Sequence, residues 1–441
     1  MNAGTQRAAG NSDVVSALVV RALAAPLHAL IAAPSWVFIV ALTAMLFRPS
    51  DLKFYAIDRV CFVLLCGVVL ARILLLHEPI RLRSTVTFPL FLLLSLAAFE
   101  LLSQPYDAEA WSVFAAKWLV PFVMFVLAGY VFTDSVSLRR LEMFSLLVLA
   151  YLSFVAVAFL LGMKGIIFPP YLVDESIGIH ADRARGPFLQ AVANGVSLNL
   201  LALLAVDSFR RRRLRGILAL IMLVAVPLAA LATKTRAVWL SFVLSAAGLV
   251  VFYPCFRVRR LSAGLLVIGV AGLFCAACDN GLRDFSDRLQ ERSPVEFRAA
   301  MYQAGWEMFW QKPFFGWGRS EMQSELTRHI RDFHQEAFYF HNTALEVGVE
   351  YGSVGLFLYG WLMFDLFRVG RICDHLAASR SGEFLDRQFR FMWPLLVAAY
   401  VLNAMFVVMN YQFVNGFLFT IAGILSAQNP GSSRGRRVFA L

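Results

Sequence analysis

The chain has 441 residues, of which 59% are hydrophobic and 16% charged, and its mean hydropathy is +0.68. Soluble domains carry roughly 25% charged residues, so the composition excludes a large soluble enzyme and points to an all-α, polytopic membrane helix bundle. The formal net charge of +11 suits arginine-rich cytoplasmic loops. It does not indicate a nucleic-acid partner, because no basic groove is interleaved with stacking aromatics.

A bilayer span needs about 20 apolar residues. By that rule the sequence predicts about twelve spans, near 27–47, 57–76, 86–103, 113–132, 141–162, 189–208, 216–233, 237–255, 261–278, 343–367, 392–409 and 411–427. The first is blurred by a further apolar stretch from Val14 to Ala33, broken by Arg21, Pro26 and Pro34. Four parts follow: a membrane bundle over 1–278, a large polar loop over 279–342, C-terminal spans over 343–428 and a basic tail over 429–441. The polar first dozen residues and the missing small-residue cleavage pattern argue against a cleavable signal.

Arginine placement sets the expected orientation. With the N-terminus cytoplasmic, one side receives Arg81 and Arg83, Arg139 and Arg140, Arg210 to Arg213 with Arg215, and Arg257, Arg259 and Arg260. It also receives Arg368, Arg371, Arg380, Arg387 and Arg390, and the tail arginines, so both termini are expected in the cytoplasm. The large loop then lies outside, in the periplasm of a cell with two membranes. The six cysteines mostly sit in apolar runs, where cysteine acts as a small hydrophobe. Cys275 and Cys278 have a redox-motif spacing but no βαβ context to support that role.

Charge on the external side is confined to a few places. Arg183 and Arg185 precede the sixth span in His180-Ala-Asp-Arg183-Ala-Arg185-Gly186-Pro-Phe188. They either snorkel to lipid phosphates or grip an anionic substrate, since guanidinium meets phosphate bidentately. Lys234-Thr235-Arg236 forms a very short turn between two spans. Its cations are either topological anchors or functional charges at membrane depth.

Within the large loop, Ser293-Pro294-Val295-Glu296 carries an N-cap, a proline at the first helical position and a capping-box glutamate. Phe297, Met301, Ala304 and Met308 follow at helical spacing. Arg298 in the first turn opposes the helix dipole and so calls for a reason from outside the helix. The glycine-rich turn Pro313-Phe-Phe-Gly316-Trp-Gly318-Arg319 comes next. A second helix then places Met322, Leu326, Ile330 and Phe333 on one face. His329 and His334 are five apart, the wrong spacing for one helical face, so no metal site is expected.

His341-Asn342 opens the next span, where free N–H groups and the helix dipole attract anions. Asn342, Glu346 and Glu350 share a face, and carboxylates entering hydrocarbon require partners, for which arginines of other loops are the natural choice. Gly352 and Gly355 suggest close helix packing.

His341-Asn342, nine residues, Gly352, two residues, Gly355 resembles the signature of the O-antigen ligase and polymerase family of bacterial envelope enzymes. Arg183-x-x-Gly186-x-Phe188, Arg298 with Trp306, and Pro313-x-x-Gly316-x-Gly318 add to the resemblance, which covers roughly 180–365 by motif. The chain departs from the family at Gln190-Ala191-Val192, where members often carry an Asn-Pro-Asn-like run, so the first arginine could be Arg183 or Arg185. The resemblance implies a metal-independent, inverting glycosyltransferase with no cofactor, at the periplasmic face of the inner membrane. The donor would be an undecaprenyl-diphosphate-linked glycan, and the acceptor lipid A–core or, in a polymerase, a second lipid-linked repeat unit. His341 would be the general base, and Arg183 (or Arg185) and Arg298 would hold the diphosphate. Arg236, Arg319, Asn342 and Glu346 would support substrate binding. Readings from other classes are a transporter or flippase for lipid-linked glycans, and a sensor or scaffold.

Overall fold

The computed structural model describes residues 30–47, 57–79, 84–178, 180–278, 293–329, 340–371 and 382–428. Among these residues the architecture is all-helical. The chain runs through α1 (Pro34–Leu46), α2 (Ile57–Leu76), α3 (Thr87–Leu102), α4 (Ala108–Val131) and α5 (Ser135–Leu160). It continues through α6 (Ala191–Arg210), α7 (Ile217–Ala232), α8 (Arg236–Phe252) and α9 (Phe256–Cys278). The loop supplies α10 (Ser293–Gln311) and α11 (Arg319–His329), and α12 (Thr343–Val369), α13 (Trp393–Ala404) and α14 (Gln412–Ala427) complete the chain.

Each of the twelve expected apolar runs falls on a helix. Among the described residues six helices, α2, α4, α5, α6, α9 and α12, are both long and apolar enough to cross a membrane, and five further apolar helices are shorter. Burial sorts them. In α6, 89% of an apolar 18-residue window is buried inside the protein, against 17% in α2 and 28% in α9. A helix that is apolar all round and still exposed needs a hydrocarbon solvent, so α2 and α9 present lipid-facing flanks around α6 and α14. The tightest crossing joins α4 to α14, where a Cβ on Gly423 would lie 2.1 Å from the Phe125 carbonyl oxygen. Only glycine allows backbones this close in a membrane interface.

The two ends of the bundle differ in chemistry. At one end the arginine-rich connections are locked by ion pairs. Arg211 meets Glu142 bidentately at 2.7 and 3.1 Å, and Arg210 reaches Asp386 at 2.7 Å. Arg140 donates to Ser35 at 2.8 Å, and Arg257 lies over the Phe209 ring. Arg81, Arg83, Arg380 and the tail arginines lie outside the described residues. The opposite end gathers the connections near 104–107, 162–190, 232–236 and 405–411 together with α10 and α11, and is called the loop face below.

Candidate active site

His341 is pinned from both sides. Phe340 is 1% exposed and packs into the core of the loop with Met301, Ala304, Met308, Met322, Leu326 and Val349. The Thr343 hydroxyl donates to the Val407 carbonyl and accepts from the Met409 N–H, each at 2.9 Å. Between these anchors His341 adopts φ +51°, a left-handed conformation that histidine tolerates better than most residues. Tyr302 of α10 donates its hydroxyl to the Met405 carbonyl at 3.1 Å, with the His341 carbonyl 3.4 Å away. The Phe297 ring meets the imidazole edge-on at 6.3 Å. Burial, followed by the charges of Arg298 and His180, pushes the imidazole down to about 4. His341 is therefore neutral near pH 7, with a ring nitrogen able to accept a proton.

The proximity of His180 brings a second segment to the same mouth. Residues 180–183 form a turn in which the Arg183 N–H donates to the His180 carbonyl at 3.1 Å. The Ala184 N–H then donates to the Ala232 carbonyl at 3.0 Å, tying this turn to the 232–236 connection. Asp182 stands between Arg183 and Lys234, 3.9 Å from each. The turn that carries His180 and Arg183 is thus tied to the turn that carries Lys234, Arg236 follows at the start of α8, and the charges of His180 and of Arg298 in α10 act on His341.

The two candidate arginines part company. Arg185 is 2% exposed. Its guanidinium donates to the carbonyls of Ile177 at 2.5 Å, Asp174 at 2.7 Å and Leu172 at 3.5 Å. It staples the 170–178 segment to the start of α6 through both terminal nitrogens of its guanidinium. Arg183 is the arginine carried on the turn beside His180 and Asp182.

Three other sequence candidates are also engaged by the protein. Asn342 caps α12, its side-chain oxygen accepting from the Leu345 N–H at 3.1 Å. Glu346 is 2% exposed and lies 2.9 Å from Lys117 and 3.5 Å from Arg319. Glu350 lies 3.3 Å from the same lysine and accepts from the Tyr351 hydroxyl at 2.9 Å. Arg319, 8% exposed, begins α11 with its backbone N–H on Glu100 at 3.0 Å. Among the described residues the carboxylates that open α12 therefore pair chiefly with a lysine of α4, and Glu346 also with Arg319. Lys117 lies on a π-helical turn over Ala115–Leu119, and such turns often occur where a helix carries a special residue. The spans are consequently not as free of charge as their composition suggests.

Gly352 also differs from its expected role. It does not seat a neighbouring helix; it breaks α12, with φ +67° and ψ −161°. The 313–318 turn plugs the break. Trp317 and Gly318 N–H groups donate to the carbonyls of Val349 and Glu350 at 2.9 and 3.0 Å. In return the Ser353 N–H reaches the Pro313 carbonyl at 2.7 Å and the Val354 N–H the Phe314 carbonyl at 3.4 Å. Backbone groups orphaned within a membrane helix must find partners, and the glycine-aromatic turn provides them. The loop is thereby fixed to α12 a short way beyond His341.

His329 lies against Gln311 at 3.3 Å and the Glu325 carbonyl at 3.0 Å, on the outer helix α11. Met322 and Leu326 are buried as expected, while Ile330, Phe333 and His334 fall outside the described residues. Cys275 is exposed at the end of α9, and among the described residues no three His, Cys, Asp or Glu side chains converge as a metal site.

Residues 220–360 match the family model described as O-antigen ligase. The matched stretch runs from α7 through the loop to the far side of the α12 break and contains Arg236, Arg298, Arg319 and His341. No curated protein matches the chain.

Proposed function

We propose that this chain, whose residues 220–360 form a domain of the O-antigen ligase family, transfers a glycan from undecaprenyl diphosphate to lipid A–core. The family consists of glycosyltransferase-like enzymes, and the match together with six helices long and apolar enough to cross a membrane supports an integral protein of the inner membrane. The loop face would be periplasmic, with both termini cytoplasmic.

One observation carries the reading: a partly buried histidine, kept neutral by burial and by the charges of Arg298 and His180, shares the loop face with Arg183 and Lys234, between which Asp182 stands. That pairing suits a reaction with an anionic leaving group and a hydroxyl nucleophile. A sugar hydroxyl of the acceptor attacks the anomeric carbon of the donor. The bond from that carbon to the diphosphate oxygen breaks, and inversion follows from attack on the opposite side. The hydroxyl proton passes to His341, and the diphosphate leaves with its charge held by Arg183 and Arg298, with Lys234 and Arg236 close by. Fixed cations aimed at developing charge in a water-poor site are the largest lever such an enzyme has, and general-base help contributes a further 10²–10⁴-fold. No metal is needed for this division of labour.

The test is transfer by the purified protein in nanodiscs from lipid-linked glycan to lipid A–core. Product with wild type and none with His341→Ala, at equal folding, supports the reading. Product only when a second lipid-linked repeat is the acceptor identifies a polymerase. Movement of donor across the bilayer without a new glycosidic bond overturns both in favour of a transporter.

A further inference from the structure

The loop helix α10 has two apolar faces, and only one is covered. Its Met301, Ala304 and Met308 side is buried in the loop core. Nearly opposite, Trp306 is 56% and Trp310 62% exposed, with ring centroids 5.7 Å apart. The turn that follows adds Phe314 at 70% and Phe315 at 74% exposure. Between these faces runs a polar stripe in which Gln303 donates to Glu307 at 3.0 Å. An exposed apolar surface rimmed by polar groups marks an interaction site.

The position of this patch identifies what covers it. The 313–318 turn is hydrogen-bonded into the break in α12, and a Cβ on Gly318 would touch Glu100 near the end of α3. Close to that contact in the chain, α3 exposes Phe99 (76%) and Leu102 (71%). Beyond the break that this turn fills, α12 exposes Phe357 (66%) and Phe364 (60%). Aromatic residues concentrate where a membrane protein meets the headgroup boundary, and an amphipathic helix there lies in the interface with its apolar side in the acyl region.

We propose that α10 and the turn after it are a lateral wing seated in the interfacial layer of the bilayer on the loop face, with Trp306, Trp310, Phe314 and Phe315 in contact with phospholipid. The site mouth, formed partly by Phe297, Arg298 and Tyr302 of the same helix, is thereby held at the level of the lipid headgroups. Such placement requires no particular reaction and stands apart from the glycosyltransferase reading.

The experiment incorporates the photocrosslinker benzoylphenylalanine at position 310, 314 or 307 of the full chain. The protein is reconstituted in nanodiscs of phosphatidylethanolamine and phosphatidylglycerol, and adducts are read by mass spectrometry. Phospholipid adducts several-fold more abundant at 310 and 314 than at 307 are the expected result. Position 314 keeps the test decisive if replacing Trp310 impairs folding. Equal yields at all three positions, or none at 310 and 314, overturn the proposal. A second arm adds undecaprenyl-diphosphate-linked glycan. Adducts at 310 to the sugar in place of phospholipid overturn it too, and assign the tryptophans to glycan stacking.

Discussion

Lys117 and Glu346 are 229 residues apart in sequence, yet Nζ and Oε2 meet at 2.9 Å. Glu350 shares the lysine at 3.3 Å, and all three side chains are about 3% exposed. This ion cluster ties α4 to the start of α12, directly behind His341. Removing one partner of a buried pair strands the other charge, at about 3–5 kcal/mol. Lys117→Met is therefore expected to lower the thermal unfolding midpoint in detergent markedly. Adding Glu350→Gln to it recovers part of the loss, because the remaining Glu346 still pairs with Arg319 at 3.5 Å. A single variant as stable as wild type would show that the cluster does not hold α4 and α12 together.

Gly352 and Gly360 lie on the same helix and predict opposite outcomes. A Cβ on Gly352 would stand 2.2 Å from the Phe314 carbonyl oxygen at a φ of +67°, whereas one on Gly360 meets nothing within 4 Å. Left-handed strain on a non-glycine residue costs about 1–3 kcal/mol, and the clash adds to it by expelling the 313–318 turn. Gly352→Ala is expected to lose stability and transfer activity together. Gly360→Ala is expected to leave both unchanged or to gain slightly, since alanine suits a helix better than glycine. Thermal unfolding and the nanodisc transfer assay, run on both variants, check the contrast.

The parts legible in the sequence are those with a local signal. Runs of about 20 apolar residues mark the membrane helices regardless of what they pack against, and the spacing of His341, Gly352 and Gly355 carries the resemblance to the family whose model matches residues 220–360. Lys117 gave no such signal, because a single lysine in an apolar run has no period and its partners come from far along the chain. Arg183 and Arg185 look equivalent in sequence. They separate only when the 170–178 segment folds back and offers its carbonyls to Arg185. Gly352 reads as a packing residue until the 313–318 turn is seen to fill the break it creates.

Arg183 and Arg185 can be told apart by what fails first. Arg185→Gln removes charged donors from the partly buried carbonyls of Asp174 and Ile177, each such hydrogen bond worth about 1.5–3 kcal/mol, so it is expected to loosen the 170–178 segment. The loss shows as lower thermal stability and faster proteolysis there. Arg183→Gln keeps the fold and lowers kcat/KM on the order of 10²-fold, the usual scale for one electrostatic contact to a leaving group. Finding that Arg185→Gln is stable but inactive, with Arg183→Gln fully active, would reverse the assignment.

The pH dependence of the reaction reports His341 directly. The imidazole is held at about 4 by burial, by Arg298 and by His180, well below the 6.5 of a free histidine. The neutral form is the base, so activity is present above the depressed value and is lost as pH falls through it. In kcat/KM, which reports the free enzyme, the acid limb of wild type is therefore expected near 4. Bound diphosphate brings negative charge that favours imidazolium, so the limb in kcat lies at higher pH. Arg298→Gln removes a neighbouring cation and shifts the kcat/KM limb upward, while kcat itself falls because the leaving group loses support. His341→Ala abolishes the limb along with about 10²–10⁴-fold of the rate. A wild-type limb near 6.5 that Arg298→Gln leaves unmoved would mean that the titrating base is not the histidine in this mouth.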